Sequence, residues 1–166
     1  MDILNASTEW ANAEVFSSKI VLLLSLLFFL AALGFWQLGK TEMAKAFIWP
    51  LLVAGVLMIA VSAGLYFSNK PRTASFETAY KNNPSEFIHS EIARTAQSQN
   101  DLAMIVFTVL PIVIMAASLL IIFVSAPLWR AIGITVIALT TCLIFIDSNT
   151  SARNANYHQQ LLEFKQ

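Results

Sequence analysis

Residues 20–38 read IVLLLSLLFFLAALGFWQL, a nearly unbroken run of Leu, Phe, Ala and Val with no charged side chain. Crossing the hydrocarbon of a bilayer takes roughly 20 residues of helix. The run is apolar all round rather than along one stripe, so it has no face to give to water. Three more stretches repeat the pattern, at about 47–67, 102–126 and 128–146. No Asp, Glu, Lys or Arg stands near the middle of any of them. Lys19, Arg130 and Asp147 stand at the ends, where charge reaches the interface. We expect an all-α integral membrane protein of four transmembrane helices, a single membrane domain over 1–166.

The composition of the 166-residue chain agrees: 57% is hydrophobic, only 12% is charged, and the mean hydropathy is +0.67. Soluble domains carry about a quarter charged residues. Ten basic residues balance ten acidic ones, so no basic field points to nucleic acid. Cys142 is the single cysteine and makes no internal disulfide. The flank before the first span carries Asp2, Glu9 and Glu14 and no basic residue through Ser18, unlike a signal peptide, so that span is expected to stay.

Local signals predict helices longer than the spans. Nothing breaks the chain from Ser85 to Leu110, and Asn83-Pro84-Ser85-Glu86 reads as a helix start with Asn83 as cap, Pro84 first in the helix and Glu86 at N3. Pro127 opens the fourth span after a tight Ser125-Ala126 turn, and that helix continues towards the C-terminus. The N-terminal stretch extends span one, with Trp10, Ala13, Phe16 and Ser17 along one face. A short helix carrying Phe76 and Tyr80 follows the break at Lys70-Pro71. Pro50 falls in the first turns of span two and is tolerated there. Pro111 falls inside span three and predicts a kink near Phe107, whose carbonyl loses its donor. Gly34, Gly55, Gly64 and Gly133 are candidate points of close helix contact.

Four spans place both termini on one side, together with the polar helical segment 69–101 and the helical tail 147–166. These extensions are expected to form a polar bundle. The other side holds only two short turns, where Lys40, Lys45 and Arg130 outnumber Glu42. On the large side carboxylates outnumber cations, with Asp2 and Lys165 in that count. The density of basic residues on the small side and the acidic N-terminal flank favour an extracytoplasmic position for the large side, which in a prokaryote means the outer face of the inner membrane. Trp36, Trp49 and Trp129 fall at the small-side interface and fix depth.

Chemistry-bearing residues gather just outside the spans on the large side. Asp147, Ser151, Asn154 and His158 recur at i, i+4, i+7 and i+11, one stripe of a helix. Glu91 and Arg94, three residues apart, pair locally or cross to Arg153, and Lys19 adds a further cation. Glu14, Glu91, Arg94, Asp147, Arg153 and His158 are thus the candidate walls of a ligand cavity. The alternative is a salt-bridge layer that fixes helix register. Glu86 and His89 form a Glu-x-x-His pair of the kind that feeds carboxylate-bridged metal sites, with Glu14 and Glu77 facing the same space. A divalent metal is the one cofactor this pattern admits, and Glu86 is equally explained as a cap. No histidine lies within a span, so haem held there by paired histidines is not expected.

No phosphate loop, nucleophile elbow, zinc-protease motif or Cys-x-x-Cys occurs. The expected function is an oligomeric channel or transporter-like bundle that handles an ion or small ligand at its polar extension. Its partners are the bilayer and either further copies of itself or a protein docking through 69–101. One alternative is an interaction protein: an accessory subunit, a sensor or an immunity-type protein. The other is a small enzyme with His158 as general base and Asp147 or Glu91 as its partner.

Overall fold

The computed structural model describes residues 3–164, so Asp2 and Lys165 lie outside the described residues. Seven α-helices and one π-helical turn make up the fold: α1 Ile3–Leu38, α2 Glu42–Ala46, α3 Ile48–Asn69, α4 Arg72–Asn82, α5 Pro84–Met104, the π segment Ile105–Val109, α6 Leu110–Phe123 and α7 Pro127–Phe164. Four helical units are long and apolar enough to cross a membrane. α1 and α7 run 36 and 38 residues without a break. At 1.5 Å per residue each reaches about 55 Å, well beyond the ~30 Å hydrocarbon of a bilayer. The molecule accordingly divides along its length into an apolar shaft and a polar head.

The punctuation is local chemistry. α1 stops at Gly39, whose N–H reaches the Phe35 carbonyl at 2.9 Å. A Cβ on Gly39 would fall on that same oxygen, so the close approach requires glycine. Thr41 caps α2 by accepting from Ala44 N–H at 3.1 Å. Asn83 Oδ1 accepts from Glu86 N–H at 3.2 Å, and Asn83 Nδ2 donates back to the Glu86 carboxylate at 3.1 Å. The expected reciprocal cap forms, with the side-chain amide in place of the backbone N–H.

At Pro111 the structure differs from a simple kink. The helix takes up one extra residue per turn over Ile105–Val109, and Leu110 N–H reaches back five residues to Ile105. The widened turn absorbs the missing proline donor within the helix, the usual setting of a π-bulge.

In the shaft, α1 and α3 form one helical hairpin around Val21, Phe28, Ala32, Leu51, Ala54 and Met58, with Ile146 of α7 closing the cluster. α6 and α7 form the other. Gly133 sits where α7 meets α6, and a Cβ there would lie 2.6 Å from Ile121 Cγ1 and 3.0 Å from the Ala117 carbonyl oxygen. Gly55 similarly faces the Phe29 ring. Gly34 and Gly64 are not close-contact points: a Cβ at either meets nothing within 4 Å among the described residues. The hairpins join through α7, which packs on both α1 and α3, whereas among the described residues the α3 backbone stays more than 8 Å, Cα to Cα, from the π segment and α6.

The head is built from the start of α1, α4, α5 and the end of α7. Ile3, Trp10, Ala11, Phe76, Phe87, Tyr157 and Leu161 share one core, so both ends of the described chain and the 69–101 segment meet there. Phe76 and Tyr80 of α4 both meet Phe87 edge-on, at 5.5 and 5.8 Å between centroids. Aromatic pairs in this geometry contribute about 0.5–1.5 kcal/mol beyond their buried area. The inward face of α1 is Ser7, Trp10, Glu14 and Ser17; Phe16, expected on that face, is exposed, because the helix turns it to the opposite side.

Candidate functional site

Two ion pairs have their carboxylates buried in the head, one crossing between helices and one local to α5. Glu14, 2% exposed, accepts from Arg153 Nε at 3.1 Å and Nη2 at 2.9 Å, both at Oε1. Thr150 hydroxyl donates to its other oxygen at 3.4 Å. Arg153 Nη2 also donates to Ser17 Oγ at 2.8 Å and Thr150 Oγ1 at 3.1 Å. One guanidinium thus ties α1 to α7. Glu91, 6% exposed, takes a two-point grip from Arg94 at 2.9 and 2.7 Å, the local pair that the i, i+3 spacing allows.

Tyr157 of α7 links the three helices that carry these pairs. Its hydroxyl proton is shared between Ser7 Oγ at 2.7 Å and Glu91 Oε2 at 3.0 Å, a bifurcated bond from α7 to α1 and α5. Burial, and then the Glu91 charge, raise its pKa well above the ordinary phenol value and keep it protonated. Trp10 stacks on the Tyr157 ring at 5.4 Å between centroids, and the Arg94 guanidinium lies 4.3 Å from the Trp10 centroid. The Trp10 Nε1–H is buried without an acceptor among the described residues.

On the neighbouring face of α7, His158 Nδ1 lies 2.6 Å from Thr95 Oγ1. Thr95 also approaches the Glu91 carbonyl at 2.7 Å, and Asn154 Nδ2 donates to the Thr95 carbonyl at 2.8 Å. These contacts lock α5 to α7. Among the described residues His158 has no carboxylate partner. Asp147 is half-buried, with no hydrogen bond or ion pair among the described residues.

Of the six candidate ligand residues, the structure brings together Glu14 with Arg153 and Glu91 with Arg94. His158 stands apart on Thr95, and Asp147 stands unpaired near the shaft. Glu86 and His89 are both exposed, and Glu86 is engaged by Asn83. Glu77 does not face Glu14: it is exposed and paired with Lys81 at 2.7 Å. No group of three metal-ligating side chains forms among the described residues. Lys19 is exposed and joins neither pair.

Between α1, the end of α3, the start of α4 and α5 lies a cleft of about 410 Å³. Trp10 and Glu14 form its α1 wall, Arg94 and Asp101 stand on α5, and Asn69 and Arg72 stand where α3 turns into α4. Arg72 is half-buried, 5.6 Å from the Trp10 centroid, and its side chain has no hydrogen bond or ion pair among the described residues. Burial, and then the neighbouring Arg94 charge, lower its pKa and outweigh the opposing attraction of the Glu91 and Glu14 charges, so its positive charge is held against a net electrostatic cost. Sequence reasoning missed Trp10, Arg72 and Tyr157 as members of this region. The usable signal was the i, i+4, i+7 series Trp10, Glu14, Ser17, which places an aromatic, a carboxylate and a hydroxyl on one stripe.

Comparison of the chain with protein-family models, with curated proteins and with solved structures finds no match.

Proposed function

We propose that this is an integral membrane protein with four spans and an extracytoplasmic head, which binds a small anionic ligand without catalysis. The observation that carries the reading is the contrast among three arginines. Arg94 and Arg153 each meet a buried carboxylate, whereas the Arg72 side chain enters the adjacent cleft beside the Trp10 ring with no ion pair of its own among the described residues, Glu91 and Glu14 acting on it only through longer-range attraction. A cation partly removed from water without a counter-charge is costly, and a bound anion relieves that cost. The expected handling of a small ligand at the polar extension takes this form.

The experiment uses the full chain in detergent with Trp36, Trp49 and Trp129 changed to Phe, which leaves Trp10 as the one tryptophan of the sequence. All three replaced rings are exposed on the shaft. Inorganic phosphate should give a saturable change in Trp10 emission, lost in Arg72→Gln and weakened in Arg72→Lys. An unchanged response in Arg72→Gln overturns the reading.

A conducting oligomer is the second reading. Val21, Phe28, Met58 and Ile146 fill the space between α1, α3 and α7, so a path for ions would have to form between copies. α6 rests in the shaft on α7 and the adjoining π segment, leaving Ile112, Met115, Leu119 and Ile122 exposed for such assembly. A purely monomeric mass in detergent would count against it.

A further inference from the structure

We infer that the ligand of this cleft is a glycerophospholipid of net negative charge, its phosphate on Arg72 and its acyl chains leaving sideways between α3 and α6. The inference rests on the reading of the cleft as an anion site and names the source of the anion.

Depth is the first argument. The cleft is bounded by Leu65 near the end of α3 and by Leu102 and Ile105, where α5 gives way to the apolar π segment. Apart from the Trp10 ring, charged and polar side chains form the rest of its wall. It therefore spans the change from polar head to apolar shaft, the level at which a lipid changes from headgroup to chain.

The second argument is the missing wall. Among the described residues the α3 backbone stays more than 8 Å, Cα to Cα, from α5, the π segment and α6. Leu65 thus forms one lip of the cleft and Leu102 and Ile105 the other, with no close backbone approach between the two helices. A soluble anion has no use for such an apolar lateral exit, whereas an acyl chain requires one. The opening also gives a ligand dissolved in the bilayer a route that avoids water.

Donor chemistry is the third. Arg72 presents a guanidinium fork, which matches a phosphate with two parallel N–H bonds. Trp10 Nε1–H is a buried donor without an acceptor, on a residue of the same cleft. Arg72 is also the first residue of α4, where the helix dipole favours negative charge. The Trp10 ring already carries Tyr157 and Arg94, which leaves less aromatic surface for a choline-type cation. Exposed Asp101 on the cleft wall accepts hydrogen bonds from a hydroxylated headgroup.

The test uses the same Trp10-only chain in phosphatidylcholine nanodiscs. Phosphatidylglycerol is raised in mole fraction in one series and phosphatidylethanolamine in another, while glycerol 3-phosphate and inorganic phosphate are titrated free in solution. Trp10 emission should reach half-change at a phosphatidylglycerol fraction at least tenfold below that for phosphatidylethanolamine, a difference of about 1.4 kcal/mol. Arg72→Gln should erase that preference with the far-ultraviolet dichroism unchanged, and Arg72→Lys should keep part of it.

Equal responses to the two lipids, or a preference for phosphatidylethanolamine, overturn the inference. If free phosphate moves Trp10 emission in an Arg72-dependent way and phosphatidylglycerol does not, the cleft is a soluble-anion site and only the lipid assignment falls. If no anion moves it, both readings fall.

Discussion

The pair between Glu14 and Arg153 makes the sharpest prediction about what holds the head together. It joins positions 139 residues apart and is the ion pair linking α1 to α7 among the described residues. Its two halves differ in access to water: the Glu14 side chain is 2% exposed and that of Arg153 30%. Breaking a buried pair by removing one partner costs about 3–5 kcal/mol, chiefly because the other charge is left unpaired. Arg153→Met leaves the buried Glu14 carboxylate with only the long Thr150 contact, and should cost near that full range. Glu14→Gln keeps an acceptor for Arg153, which also retains Ser17 and Thr150 and reaches solvent. It should cost about 1–2 kcal/mol, the difference between a charge-assisted and a neutral hydrogen bond. The double variant Glu14→Gln, Arg153→Met should lose less than the sum of the singles by at least 1 kcal/mol or so, since neither leaves an orphan for the other. Reversible unfolding in mixed micelles of rising dodecyl sulfate fraction, followed by circular dichroism, measures all three. Additivity to within about 0.5 kcal/mol, or a greater loss from Glu14→Gln than from Arg153→Met, would refute the assignment of an interior pair with a dry acid end.

Two further expectations follow from the geometry. Burial and Glu91 raise the Tyr157 pKa above its ordinary value of 10.0, so the folded head keeps a proton that the unfolded chain releases. Stability should therefore be unaffected by this group below about pH 10 and fall as pH rises beyond it; Tyr157→Phe should remove that alkaline loss while costing about 1 kcal/mol at neutral pH, read from unfolding at a series of pH values. In the shaft, Gly133→Ala should destabilise the α6–α7 hairpin by about 1–3 kcal/mol, because the Ala117 carbonyl at 3.0 Å is backbone and yields little, while Gly34→Ala should be neutral. Equal effects of the two glycine substitutions on unfolding would show that α6 and α7 do not meet at Gly133.

The readable parts of this molecule are those governed by neighbours in sequence. The spans follow from apolar runs, the α5 start from Asn83, Pro84 and Glu86, and the Glu91–Arg94 pair from a three-residue spacing. Pro111 predicts a disturbance near Phe107, and a π-helical segment lies over those residues. A missing donor announces a disturbed helix, but whether the chain bends or widens depends on what packs beside it. Glu14 could be named as a site residue from its place beside the span, yet its partner lies at the far end of the chain, and no local pattern encodes that choice. Arg72 was hidden for a related reason. In sequence it belongs to the polar break after span two, and its lack of an ion pair follows only from the direction in which α4 leaves α3.

These distinctions separate what stabilises the head from what it offers a ligand. Glu14 with Arg153 and Glu91 with Arg94 are complete pairs, so their charges are spent on one another and their removal acts first on folding. Through Tyr157 and Arg94 they also fix the Trp10 ring that forms one wall of the cleft. Arg72 takes part in neither pair, and its change should leave the fold while altering what the cleft holds. Variants of the paired residues should thus disturb ligand binding in proportion to lost stability. Variants of Arg72 should disturb binding alone, and that difference sets a positioning scaffold apart from the cation that meets the ligand.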